Sequence, residues 1–250
     1  MERKNDKIIN IHSHFNHGVL NDTNDSELYV CNLDFLKNEG QRLNVISMAA
    51  CSFASVLNPD TVFEENNFYY DVCQKDAYFY QWVVIDPRDK KTYEQALEMT
   101  KSKKALGIKI HSVYHKYDIM KYADEIFEFA DKHNFVIMMH PDHIKEIAPK
   151  MDNYPNAKLI IAHIGSIEHI NAIKNSKHGN IYTDTSGIAS SKNNIIEYAV
   201  KEIGSDKILF GTDTYSAASQ LGRIVFANIA EDDKRNILYD NAKKLLPNKY

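Results

Sequence analysis

Cysteine is scarce in this chain, and what there is carries no pattern. Cys31, Cys51 and Cys73 are the only three, an odd number without CxxC spacing. That argues against a disulfide frame and for reduced thiols, hence a cytoplasmic protein. Long apolar runs are missing too. No segment reaches the roughly 18 apolar residues of a membrane span. The N-terminal apolar stretch is short and broken by Asn10 and His12, so no secretory signal is expected. Excess positive charge is absent: the net charge is −4 with histidine neutral. Nothing electrostatic favours nucleic acid or an anionic membrane as a partner. No Gly/Ser-rich linker, low-complexity tract or internal repeat interrupts the sequence, so one domain over residues 1–250 is expected.

What is present is a repeating alternation. Eight short apolar, β-branched runs recur: Lys7 to His14, Asn44 to Ala50, Gln81 to Asp86 and Ala105 to His111, then Phe135 to His140, Lys158 to His163, Ile181 to Asp184 and Lys207 to Asp213. Most are continuously apolar, as expected for parallel strands covered on both faces. Helical patterns fill the intervals. The clearest runs from Ile119 to Ala130, with Asp118 as its N-cap. Others are centred on Tyr93 to Thr100, on Asn193 to Ile203 ending before Gly204, and on Asp232 to Leu246. Eight strand–helix units in 250 residues predict a single (β/α)8 TIM barrel. A doubly wound open sheet is the competitor.

The polar residues favour the barrel. Several strands end on metal-competent side chains: His12 and His14, His111, His140, His163 and Asp213. Barrel active sites lie at the C-terminal strand ends, so residues far apart in sequence would converge there. His12 and His14 are two apart, on one face and about 7 Å from each other along the strand. A lone HxH is weak, and either later histidine could be an ordinary core residue. Asp213 follows a mostly apolar run, so it must be paired or bind metal; its alternative is to cap the next helix. Arg88 could hold a substrate carboxylate through its guanidinium fork. Tyr215 could line the pocket.

In this order, IHSH, GIKIH, VIMMH, IIAHIG and LFGTD resemble the amidohydrolase superfamily, specifically its amidohydrolase-2 branch. NILYDNAKKLL is similar to that branch's closing helix. The branch includes metal-dependent hydrolases and non-oxidative decarboxylases. The resemblance implies that His12, His14, His140 and Asp213 bind the metal. It implies that His163 contacts the metal-bound water or substrate, or binds a second metal. GIKIH is also similar to strand four of urease-like amidohydrolases, where the lysine becomes a carbamate bridging two metals. The expectation here is one ion, with Lys109 an unmodified cation pairing with a carboxylate and His111 beside the substrate.

Three histidines and a carboxylate suit Zn2+, with Mn2+, Fe2+ or Co2+ as alternatives. The ion would bring the pKa of a bound water toward about 7. Asp213 would move the proton, and His163 with His111 would stabilise developing negative charge. The expected activity is hydrolysis of a C–N or C–O bond in a small amide, lactone or ester. The alternative is a metal-dependent decarboxylase on the same scaffold; a non-catalytic metal-binding barrel is a third reading. The expected partner is a small-molecule substrate; a homo-oligomer remains open. Specificity is expected in the segments Phe15 to Leu33, Cys51 to Phe68, Arg88 to Thr92, Ser112 to Tyr117 and Tyr215 to Gln220.

Overall fold

The computed structural model describes residues 7–16, 29–247 and 249. Eight parallel strands form one sheet in sequence order: β1 (Ile8–Phe15), β2 (Val45–Ser52), β3 (Phe79–Val84), β4 (Ala105–Ile110), β5 (Val136–Met139), β6 (Lys158–Ile161), β7 (Ile181–Asp184) and β8 (Ile208–Leu209). The ends meet through Ile11 N–H to Phe210 C=O at 2.9 Å, Thr212 N–H to His12 C=O at 2.8 Å, and a parallel bridge between Ser13 and Asp213. Closure leaves no open edge and decides against the doubly wound sheet. The architecture is a (β/α)8 barrel.

Helices cover the outside where the periodicity predicts them. Ile119–His133 is capped by the Asp118 carboxylate, which accepts from Met120 N–H, and ends at Asn134 in the left-handed conformation. Ile195–Ile203 stops at Gly204, where φ is +74°. The last helical stretch differs from expectation. It is helix Glu231–Arg235, a π-helical turn Asn236–Asp240, then helix Asn241–Leu245. Within and just after the wider turn, Ile237, Leu238 and Asn241 are all buried, and Asn241 donates to the carbonyls of Ser205 and Ile208 at 2.7 Å each.

The apolar interior has separate layers. Ile9, Ile11, Ala49, Trp82, Val84, Leu106, Met138, Ile160 and Leu209 form a cluster contributed by strands around the barrel. Residues such as Val83, Ile108, Ile110, Ile137 and Ile161 pack outward with helix residues such as Ile126 and Phe127. Strict alternation would not carry this pattern to the C-terminal strand ends. Pairing in β1 slips between Asn10 and Ser13, and pairing of β3 with β4 slips between Gln81 and Trp82. Such irregularities re-aim side chains. Ile11 and His12, though adjacent, both lie buried on the barrel side, and the slip at Leu106–Gly107 lets Lys109 follow Leu106 inward.

Candidate functional site

The C-terminal strand ends open into a pocket of about 530 Å³. Its floor holds His14, Lys109, His111, His140, His163 and Asp213. His12 lies just beneath, 1 % exposed. Two of these residues reach the pocket through strained backbone. His163 and Asp213 adopt φ of +59° and +55°, a left-handed conformation costing about 1 kcal/mol or more outside glycine. Ala162 belongs to the interior cluster, so His163 would point outward if β6 continued unbroken. The left-handed turn brings it in.

Three of the imidazoles, those of His12, His163 and His111, have a partner that fixes the tautomer. His12 Nδ1 lies 2.8 Å from Asp184 Oδ2, so it donates there and leaves the Nε2 lone pair free. His163 Nδ1 lies 3.1 Å from the Ser186 carbonyl, which can only accept; its Nε2 is therefore also the lone-pair nitrogen. His111 is the reverse case. Its Nδ1 accepts from Tyr114 N–H at 3.2 Å, leaving Nε2–H as a donor. Asp184 is completely buried. Burial alone would raise its pKa, but His12 and Ser186 hold it well below the usual carboxylate range. Burial, with the field of Lys109, pushes His12 and His14 down, so both are neutral at pH 7. Burial and the neighbouring His163 bring His140 down to about 3.

His12, His14 and Asp213 each offer a ligand atom within 4.8 Å of the others. His12 Nε2 and His14 Nε2 are 3.2 Å apart. Adjacent nitrogens around a tetrahedral zinc at 2.0–2.1 Å would be about 3.3 Å apart. The donor set therefore fits a divalent ion. Lys109 Nζ lies 2.9 Å from His12 Nε2, and burial pushes the pKa of this amine down. A second overlapping group, His12, His163 and Asp184, also satisfies the spacing.

Not every expected residue is gathered here. His140 lines the pocket but stands outside both groups; its ring stacks on His111 at 4.0 Å and 14°. Lys109 contacts His12 in place of the expected carboxylate. Arg88 does not reach the pocket: its guanidinium makes a fork on Asp86, at 2.9 and 2.6 Å, and donates to the His115 carbonyl. Asp213 caps no helix, since the next one, Ala217–Val225, takes its cap from Ser216. Of the expected specificity segments, those holding Phe53, Tyr114 and Tyr215 line the pocket and Arg88 to Thr92 does not. Residues 17–28 of the first segment lie outside the described residues. The turns after β6 and β7, with Ser166, His169, Gly187 and Lys192, line it unexpectedly. Asp184 was also missed. IYTD ends on an acid just as LFGTD does, and that parallel was its signal in the sequence.

Glycine makes the packing feasible at two points. A Cβ on Gly211 would meet His12 Cβ at 2.8 Å. Gly187, with φ of +64°, lies against the His163 ring, where a Cβ would stand 3.1 Å from Nδ1. Among the described residues, no helix is long and apolar enough to cross a membrane.

Comparisons with known proteins place this geometry in context. The chain is similar to the 2,6-dihydroxybenzoate decarboxylase from Rhizobium, with 16 % identity, a TM-score of 0.75, and 96 % of this chain and 98 % of that one covered. It is similar to a dihydroxybenzoic acid decarboxylase from Polaromonas sp. JS666 with bound manganese and 2-nitroresorcinol: 18 % identity, TM-score 0.74, and 97 % of each chain covered. A Burkholderia multivorans amidohydrolase with bound zinc gives 12 % identity and a TM-score of 0.72, covering 96 % of this chain and 99 % of that one. No curated protein matches by sequence. The expectation of hydrolysis is corrected by this pattern. Decarboxylases recur at TM-scores of 0.74–0.75, above the amidohydrolases at 0.72 and 0.70. Ligand spacing alone does not separate the two reactions. With the family model for amidohydrolases matching residues 27–247, most of the barrel just described, the chain belongs to the amidohydrolase family.

Proposed function

We propose that this chain is a metal-dependent, non-oxidative decarboxylase acting on a small hydroxylated aromatic acid. The observation that carries the reading is a metal-competent His12–His14–Asp213 group on the floor of a pocket, in a barrel similar along almost its whole length to decarboxylases of 2,6-dihydroxybenzoate and 5-carboxyvanillate. The pocket wall adds support. Tyr114 stacks on His111 at 4.4 Å and meets Phe53 edge-on at 6.4 Å, a surface suited to a planar ring.

In this reading His12, His14 and Asp213, with His140 on the same floor, would hold one divalent ion, manganese or zinc. Such an ion would supply positive charge that stabilises a bound carboxylate substrate. His111 Nε2–H donates to a substrate oxygen and fixes the ring. Decarboxylation breaks the bond from ring to carboxyl carbon, leaves the electron pair on the ring, and requires one proton at the vacated position. Asp213 delivers that proton. His163, whose lone-pair Nε2 lies 3.8 Å from Asp213 Oδ2, takes up a proton from solvent and passes it to Asp213 for the next turnover. Lys109 stays an unmodified amine beside His12. The whole chain acts as one barrel domain.

The experiment is a metal-content measurement followed by an assay for CO2 release. Protein supplied with Mn2+ or Zn2+ should carry close to one ion per chain. It should release CO2 from at least one member of a hydroxybenzoate panel that includes 2,6-dihydroxybenzoate, and chelation should abolish the release. Protein that takes up no divalent ion, or loaded protein that turns over no member of the panel, contradicts the proposal.

A further inference from the structure

The tautomers of His12, His163 and His111 are settled by oxygen or backbone partners; that of His14 is not. Its Nδ1 faces the sulfur of Cys51 at 3.3 Å. The two residues are direct partners in the β1–β2 register. Both are buried, at 3 % and 2 % exposure. A neutral imidazole has one N–H and one lone pair. If the thiol donated to Nδ1, the proton of His14 would sit on Nε2 and block it as a ligand. If the sulfur accepts, Nδ1 carries the proton and Nε2 turns its lone pair toward His12 Nε2, 3.2 Å away.

We infer that Cys51 is the positioning residue for His14, its sulfur accepting the Nδ1–H so that Nε2 is presented to the ion. The inference rests on the reading of His14 as a metal ligand. A second cysteine holds the same residue from the main-chain side, since Cys31 Sγ donates to the His14 carbonyl at 2.8 Å. The arrangement makes the two ligands of the HxH pair unequal. His12 leans on a carboxylate, which strengthens it as a donor. His14 leans on a sulfur, a weak acceptor that directs the ring while pushing little electron density into it. Cys51 touches neither substrate nor ion, so its effect passes entirely through the ring of His14.

The test compares wild type, Cys51→Ala and Cys51→Ser as full-length, chelator-stripped proteins titrated with Zn2+ against a competing chelator. Nitrogen NMR of the histidine rings is recorded on zinc-loaded wild type. Loss of such a partner typically weakens metal binding by about 10- to 100-fold. That loss is expected for Cys51→Ala, with most of the affinity restored in Cys51→Ser, which keeps an acceptor. The metal-free melting temperatures of the variants should be alike, which a packing role would not produce. The loaded wild type should show His14 protonated at Nδ1. Wild-type affinity in Cys51→Ala overturns the inference, as does equal weakening in both variants. If Cys51→Ala fails to fold, the NMR decides alone: a His14 proton on Nε2 overturns it. Wild type that binds no zinc overturns the ligand reading of His14 along with it, whereas normal wild-type binding with no effect of Cys51→Ala removes this inference alone.

Discussion

At the scale of single residues, the centre depends on what stands behind each imidazole. Asp184 is the clearest case, because no water reaches it and His12 Nδ1 is 2.8 Å away. Asp184→Asn removes the charge and can turn an N–H toward the ring. It is expected to weaken zinc binding by about 10- to 100-fold, read by chelator competition. Unchanged affinity would show that His12 needs no such partner. Asp213→Asn keeps size and loses the proton carrier; turnover should fall by two or more orders of magnitude, the scale of general acid–base loss. Residue types at strand ends were legible in the sequence, since a histidine or acid closing an apolar run is conspicuous. Their orientation was not. The inward turn of His163 depends on φ of +59°, which no side-chain pattern announces. Arg88 lies off the pocket, on Asp86; a guanidinium in the turn after a strand reads the same in the sequence whether it meets a substrate or a neighbouring acid.

At the scale of elements, that ion pair belongs to a loop clamp. Asp86 accepts from Arg88, Arg88 donates to the His115 carbonyl, and the His115 ring contacts the Ser55 carbonyl at 2.9 Å. The turns after β2, β3 and β4 are thereby tied together. Burial raises the pKa of Asp86, but the hydrogen bonds from Arg88 more than offset this and leave it below the ordinary value. A depressed carboxylate contributes stability above its unfolded pKa of about 3.9, and that contribution is lost as pH falls through the lower folded value. Arg88→Met should therefore lower the melting temperature at pH 7, with the difference from wild type shrinking below about pH 4. KM should stay unchanged; a large rise in KM would return Arg88 to the substrate site. Close approach is a second element-scale constraint. Gly211→Ala drives a Cβ to 2.8 Å from His12 Cβ, so it should cost both stability and metal affinity. The strands themselves were legible because parallel, doubly covered strands read as unbroken apolar runs. The pairing slips in β1 and β4 were invisible, since an extra residue in one strand changes register without changing composition.

At the scale of the whole molecule, closure of the sheet gathers separate strand ends into one site, with residues from every strand end but that of β3 lining the pocket. The β1–β8 contact is made by the segments proposed to hold the ion, with Asp213 N–H donating to the His12 carbonyl at 2.8 Å. Ion binding and barrel closure should therefore be coupled. At zinc concentrations about 100 times the Kd, the expected stabilisation is about 2.7 kcal/mol, seen as a rise in melting temperature that chelator reverses. The fold class was legible from the count and order of strands. The reaction was not, because a metal-competent group of two histidines and an acid suits more than one chemistry. The most direct test of the decarboxylase reading follows 2,6-dihydroxybenzoate, labelled with 13C at the carboxyl carbon, by NMR in D2O with the manganese- or zinc-loaded protein. The account predicts labelled CO2 and bicarbonate, one deuterium at the vacated ring position, and loss of both signals with Asp213→Asn. Label that stays on the ring across the hydroxybenzoate panel, in protein shown to carry its ion, would contradict it.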